Sequence, residues 1–245
     1  MSKQVITDWT YDHLVKQYSD FLVVCLHTIC YYRNLYDRTY FSLARVYSCP
    51  VQRCKHPILV EYINSVVSSI AEELRKCLVE RINVVIMSSQ DVPLERFVFD
   101  VSMLPEVSPE DLFVPFRDTE YQAGQLDAQF RAAIMKLALV ETKLGPVPNG
   151  KSPNQAQHHH FDSSDCTFVV QIELRRNKSS KVRATTSWVE AEERETTSRG
   201  QTTIPLRRIG FGPIKLDSWV EETQSKLKLP AKNDSNSSGD QTMSF

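Results

Sequence analysis

The sequence predicts an α+β fold, with three long helices packed on a mostly antiparallel sheet. Three observations carry this. Three segments repeat apolar residues at helical spacing, and short β-branched or alternating runs lie between and after them. The chain is 245 residues long, enough to bury a core without a metal or disulfide to hold it.

The first helix is expected over residues 12–36, where Leu14, Tyr18, Phe21, Leu22, Cys25, Ile29, Tyr32 and Tyr36 recur at helical spacing. Val23, Val24 and Leu26 fill its other faces, so it belongs in the middle of the domain. Residues 37–57, with Pro50 and Pro57, read as irregular. A second helix then runs to about residue 78, with Leu59, Tyr62, Ile63, Val66, Val67, Ile70 and Leu74 on one face. Residues 82–87 read as a buried strand, 88–93 as a turn and 95–101 as an alternating strand, together a hairpin. Ser108-Pro109-Glu110-Asp111 has the form of a helix start. A third long helix follows over 119–144 through Leu126, Phe130, Ile134, Leu137 and Leu144.

Residues 145–165 are rich in Pro, Gly, Asn, Ser and Gln and read as a surface loop. Residues 166–176 give the strongest strand signal, with Phe168, Val170, Ile172 and Leu174 on one face. Residues 177–201 are polar, interrupted by Trp188-Val189. Two more strands are expected at 204–211 and 214–220, and 230–245 is expected to be a disordered tail. No internal repeat is visible.

Composition narrows the function. Lys+Arg is 29 and Asp+Glu 30, so bulk charge does not draw the chain to nucleic acid. No glycine precedes Gly124, which excludes a phosphate-cradling loop in the first half. The apolar run 21–32 is too short to span a bilayer, and the N-terminus lacks a secretory pattern. The six cysteines form no C-x-x-C pair and are expected to be reduced thiols in a nuclear or cytosolic chain.

Three sets of residues invite a chemical reading. His158-His159-His160 could bind a transition metal, but adjacent histidines in a polar loop do not converge tetrahedrally. Cys49, Cys54 and His56 lack a recognisable fourth ligand, and Cys166 with His27 or His56 would make a thiol nucleophile that nothing local marks. Arg175, Arg176, Lys178, Lys181 and Arg183 form a basic cluster, balanced by Glu190, Glu192, Glu193 and Glu195. No cofactor fingerprint and no hydrolase motif is present, so an enzyme is the less favoured class. Trp188, isolated in a polar segment, either docks onto its own sheet or anchors a strap that closes over a ligand.

The order of elements and several words resemble the HORMA domain family, and within it the accessory-subunit branch of translesion DNA polymerase zeta. Cys30-Tyr-Tyr-Arg-Asn-Leu-Tyr36 resembles the end of that family's first helix. Pro50-Val-Gln52, His56-Pro57 and Tyr62-Ile63 resemble a segment typical of the polymerase branch; the related spindle-checkpoint Mad protein lacks the first two words. Val92–Asp100 resembles the family hairpin, and Cys166-Thr-Phe168 the start of its central strand. Trp188, Ile204-Pro-Leu206 and Trp219-Val-Glu-Glu222 fall where the family's "safety belt" is expected. Segments 145–165 and 191–203 depart from animal members.

The resemblance implies one domain over 1–229, with a core at about 12–176 and a belt at about 177–222. It implies a non-catalytic nuclear adaptor without cofactor or metal, in contact with DNA only indirectly and not with membrane. Tyr62 and Trp188 match residues that grip a proline-containing peptide of the polymerase's catalytic subunit beneath the belt. Thr203, Leu206, Asp217 and Trp219 match a surface for the C-terminal domain of the Rev-type deoxycytidyl transferase scaffold. Arg131 matches a self-association contact of a homodimer, and a HORMA-remodelling ATPase is a further implied partner. The alternatives are a HORMA adaptor of the spindle checkpoint or another pathway and, from a different class, a thiol or zinc enzyme using Cys49, Cys54 and His56.

Overall fold

Helix α1 (Tyr11–Tyr32) starts where the Thr10 side chain accepts a hydrogen bond from the His13 amide at 3.2 Å. The computed structural model describes residues 9–116, 123–147, 166–175, 188–189, 191, 202–211, 214–223 and 226. Buried side chains cover most faces of α1, as its all-round apolar pattern requires. The helix stops short of residue 36. Asn34 takes φ 51°, its amide bonds Tyr31 O, and the Leu35 amide bonds Cys30 O. These two bonds close the helix in a Schellman motif with asparagine in the place glycine usually holds.

Helix α2 (Pro57–Arg75) ends in the same way, with Cys77 at φ 54° and bonds from Cys77 and Leu78 back to Leu74 O and Glu73 O. It therefore ends before residue 78. Between the two helices the expectation of irregular chain fails. Strands β1 (Phe41–Val46) and β2 (Cys49–Cys54) form an antiparallel ribbon separate from the main sheet. Its two-residue turn, Tyr47 at φ 49° and Ser48 at φ 60°, is the mirror-image hairpin turn built without glycine. The Tyr47 ring is anchored edge-on to Phe130, 5.4 Å between centroids.

Strands β3 (Val79–Met87) and β4 (Pro93–Asp100) form the expected hairpin, its turn closed by the Ser88 hydroxyl accepting from Gln90 and Val92 amides. Ser108-Pro-Glu-Asp does not open a long helix. It makes one 3-10 turn, Pro109–Asp111, across which the Ser108 hydroxyl donates to the Asp111 carboxylate at 2.7 Å. Helix α3 (Ala123–Leu139) packs on α1, with Phe130 stacked on Phe21 at 4.4 Å.

Strand β5 (Thr167–Leu174) pairs with β3. The stretch expected as one strand at 204–211 is two, β6 (Thr202–Pro205) and β7 (Ile209–Phe211), both laid along one side of β8 (Ile214–Glu222). The interruption has a cause: Leu206 and Arg207 amides both converge on Ser218 O, an extra residue inserted after Pro205. The sheet order is β5-β3-β4-β8-β6, with all described pairings antiparallel. Ile82, Val84, Ile86, Phe97, Phe99, Phe168 and Val220 join the helices in one apolar core. Most of the 145–165 loop with His158–His160, most of 177–201, and the 230–245 tail lie outside the described residues.

Candidate functional site

Three surfaces on this framework carry the residues singled out from sequence. The first is the edge of the sheet at β5. That strand pairs with β3 on one side and with no described strand on the other. A strand edge of this kind offers backbone donors and acceptors to an added strand. Tyr62, projecting from α2, leans over it: its ring meets Phe168 of β5 at 5.6 Å and 72°, and Tyr36 meets the same ring at 6.4 Å. Tyr62 keeps 41% of its surface exposed. Burial, with Cys30 adding to it, pushes the Tyr62 hydroxyl up, so it stays a neutral donor. Trp188 is half-buried against the core, and its indole Nε1 has no partner among the described residues. Val189 beside it is 90% exposed.

The second surface is the face of the sheet turned away from the helices. Asp217, Trp219 and Glu221 alternate with the buried Leu216, Ser218 and Val220, so the pairing of Asp217 with Trp219 on one face holds. Trp219 lies opposite Val98 and beside Pro205; Asp217 lies opposite Asp100, which faces Arg81. The Trp219 indole donates to Glu221 at 2.9 Å, and the Arg81 guanidinium sits 5.9 Å from its ring centre. Arg81 is itself held by Asp100 and Glu173, each at 3.1 Å. Burial alone would raise the Asp100 carboxyl; the Ser102 hydroxyl and amide and Arg81 outweigh it and hold the group below the usual carboxylate range. Arg208 donates twice to Asp217 Oδ2, at 3.0 and 2.7 Å. Thr203 is exposed on β6. Leu206 is not part of this face: it is 7% exposed and belongs to the core, because it follows Ile204 by two residues on the helix-facing side of the strand, opposite Ser218. Arg81 and Arg208 had no sequence signal, since their role depends on cross-strand register.

The third surface is a groove of about 430 Å³ between β2 and α3, lined by Arg131, Met135, Ala138 and Leu139 on one side and Cys49, Pro50 and Gln52 on the other. Met135 and Leu139 are exposed.

Among the described residues, Cys49, Cys54 and His56 do not converge on one point. Cys49 and Cys54 sit at opposite ends of β2, pairing with Val46 and Phe41, so they cannot share an ion. The Cys49 thiol donates to Val46 O, and Cys54 Sγ accepts from the His56 amide. Burial pushes the Cys25, Cys30, Cys49 and Cys54 thiols up, the reverse of an activated nucleophile. His27 is buried, its Nδ1 facing the Cys54 amide at 3.4 Å, and burial with Arg53 pushes its imidazole down to about 4. Among the described residues no group of three ligating side chains could hold a metal, and no helix is long and apolar enough to cross a membrane.

No family model matches the chain. It is similar to the DNA polymerase zeta processivity subunit of Schizosaccharomyces pombe, 27% identical over 219 residues, covering 88% of this chain and 96% of that protein. It is 29% identical over 215 residues to the mitotic spindle assembly checkpoint protein MAD2B of Gallus gallus, covering 85% and 90% of the two chains. Among solved structures, a chain of a mitotic checkpoint complex superposes with TM-score 0.66 at 19% identity, over 86% of this chain and 98% of that one. HTP-2 of C. elegans, bound to a HIM-3 closure motif, superposes with TM-score 0.64 at 12% identity, over 88% and 92%. At these identities the structural likenesses speak for the fold.

Proposed function

Because the chain belongs to the HORMA domain family, near the polymerase zeta processivity subunits and MAD2B proteins, we propose that it is a non-catalytic adaptor of translesion DNA polymerase zeta. It takes a proline-containing segment of the polymerase's catalytic subunit as an added strand along β5. Tyr62 and Trp188 pack on that segment, and the chain over about 177–222 closes across it. The observation that carries this reading is the β5 edge with Tyr62 standing over Phe168. An added strand brings main-chain hydrogen bonds, and side-chain contacts on its helix-facing side supply selectivity. A strap that must open before release slows dissociation, so a modest contact area holds firmly.

The second face, Thr203, Asp217 and Trp219, is assigned to the C-terminal domain of the Rev-type deoxycytidyl transferase scaffold. The groove at Arg131 is assigned to self-association, and a HORMA-remodelling ATPase is the agent that would open the belt. The site of action is the nucleus, at DNA lesions, with contact to DNA through the polymerase. A second reading, service in the spindle checkpoint, draws on the MAD2B names of several relatives. The test is titration calorimetry of the full chain with a proline-containing peptide from the polymerase zeta catalytic subunit, against one from a spindle-checkpoint partner. Binding of the first but not the second supports the proposal; the reverse overturns it in favour of the checkpoint.

A further inference from the structure

Under the sheet, four charged side chains and one carbonyl meet out of solvent. Glu95 on β4 is fully buried, and Arg33, which caps α1, is 3% exposed. Arg33 Nε donates to Glu95 Oε2 at 2.8 Å and its Nη2 to Oε1 at 2.5 Å. Lys226, just past β8, is also 3% exposed. Its ammonium donates to Glu95 Oε1, to Gly145 O at 2.7 Å and to Glu222 Oε1 at 2.6 Å. Gly145 O accepts from Arg33 Nη2 as well, at 2.7 Å. All three ammonium protons of Lys226 are thus used, and one carboxylate is shared by two cations.

The charges sort into two neutral halves. Arg33 and Glu95 belong to the helical core and the β3–β4 hairpin. Glu222 and Lys226 lie at the end of β8 and just beyond it, four residues apart in sequence and joined by an ion pair. Removing one member of a buried pair strands a charge at a large cost. Separating one whole pair from the other strands none: Arg33 keeps both bonds to Glu95 and its bond to Gly145, while Lys226 leaves with Glu222. The two pairs thus divide between the core and the end of β8, which the Thr223 amide and hydroxyl also tie to Pro93 O and Leu94 O of β4.

We propose that this contact is a releasable latch. Lys226 fastens the end of β8 to Glu95 and to the Gly145 carbonyl, and its release lets β8 swing off β4 as a unit. Resting on the adaptor reading above, the latch then sets how long a captured segment stays beneath the strap.

The test uses the full chain with hydrogen–deuterium exchange and with the release rate of a fluorescent proline-containing peptide from the polymerase zeta catalytic subunit. Lys226→Met is expected to raise exchange in residues 214–222 about tenfold or more, the loss of a set of charge-assisted bonds, with α1 and α2 unchanged. Peptide release quickens by a similar factor, and Lys226→Arg restores both. Unchanged exchange in β8, or an equal rise through α1, α2 and β8, overturns the latch. Should the unaltered chain bind no peptide, the adaptor reading falls, while a selective rise in β8 exchange still upholds the latch as a property of the strand. Selective β8 loosening with unchanged release of a bound peptide overturns its control of residence.

Discussion

Tyr62 of α2 and Phe168 of β5 meet edge to face, 5.6 Å between ring centres, on the side of β5 that pairs with no described strand. The contact holds one side of the tyrosine and leaves 41% of the residue exposed.

Tyr62→Ala is therefore expected to weaken capture of a proline-containing polymerase peptide by about 2 kcal/mol, the scale of an interface anchor, with little change in the Tm of the free chain. Trp188→Ala is expected to cost both, because Trp188 already packs on the core. Calorimetry and thermal melts on the two variants separate the roles. Equal loss of free-chain Tm in both would remove the distinction.

On the opposite sheet face, Asp217→Ala combined with Trp219→Ala is expected to weaken binding of the transferase C-terminal domain while sparing the peptide. Arg81→Met should have a weaker effect of the same kind, since Arg81 flanks the Trp219 ring without being part of the exposed aromatic surface. Parallel titrations with the two partners decide it; joint loss of both would indicate unfolding.

His27 predicts an acid limb in the stability curve. Its folded pKa of about 4 lies below the value near 6.5 of an unfolded histidine. As pH falls from 6.5 to 4 the unfolded chain takes up a proton that the folded chain refuses, so stability declines with falling pH, by roughly 3 kcal/mol at most. Asp100, held below its ordinary value, adds a separate loss at lower pH. Denaturant midpoints of His27→Gln between pH 4 and 6.5 should lie on a flatter line than those of the unaltered chain.

The hairpin turn predicts a gain. Ser48 is exposed at φ 60°, a conformation glycine adopts without steric cost. Ser48→Gly should stabilise by about 0.5–1 kcal/mol, raising Tm by roughly 1–4 °C. Tyr47→Gly should not, because it gives up the ring contact with Phe130. Calorimetric melts of both distinguish backbone relief from lost packing.

The helices, the β3–β4 hairpin and β5 were legible because their apolar periods match their burial: Phe97 and Phe99 enter the core as their alternation implies. The ends of α1 and α2 were not, because Asn34 and Cys77 take the left-handed cap position where no glycine announced it. The β1–β2 ribbon was hidden for the same reason, its turn being Tyr47-Ser48. At the candidate surfaces, the shared face of Asp217 and Trp219 followed from strand spacing. The inward side of Leu206 follows from the same spacing, since it is three residues from Thr203 and two from core-facing Ile204. The joining of Arg33, Glu95, Gly145 and Lys226 depends on three-dimensional closure and leaves no local mark.

The position of β8 between β4 and β6 has a kinetic consequence. During synthesis the β3–β4 hairpin leaves the ribosome long before its second neighbour, and β5 reaches β3 while the far side of β4 is still bare. The nascent chain therefore passes through a stage with two unpaired sheet margins, at β4 and β5, each carrying apolar side chains. Strand pairings so distant along the chain form slowly. That interval is when the polypeptide is most exposed to self-aggregation and most in need of a chaperone.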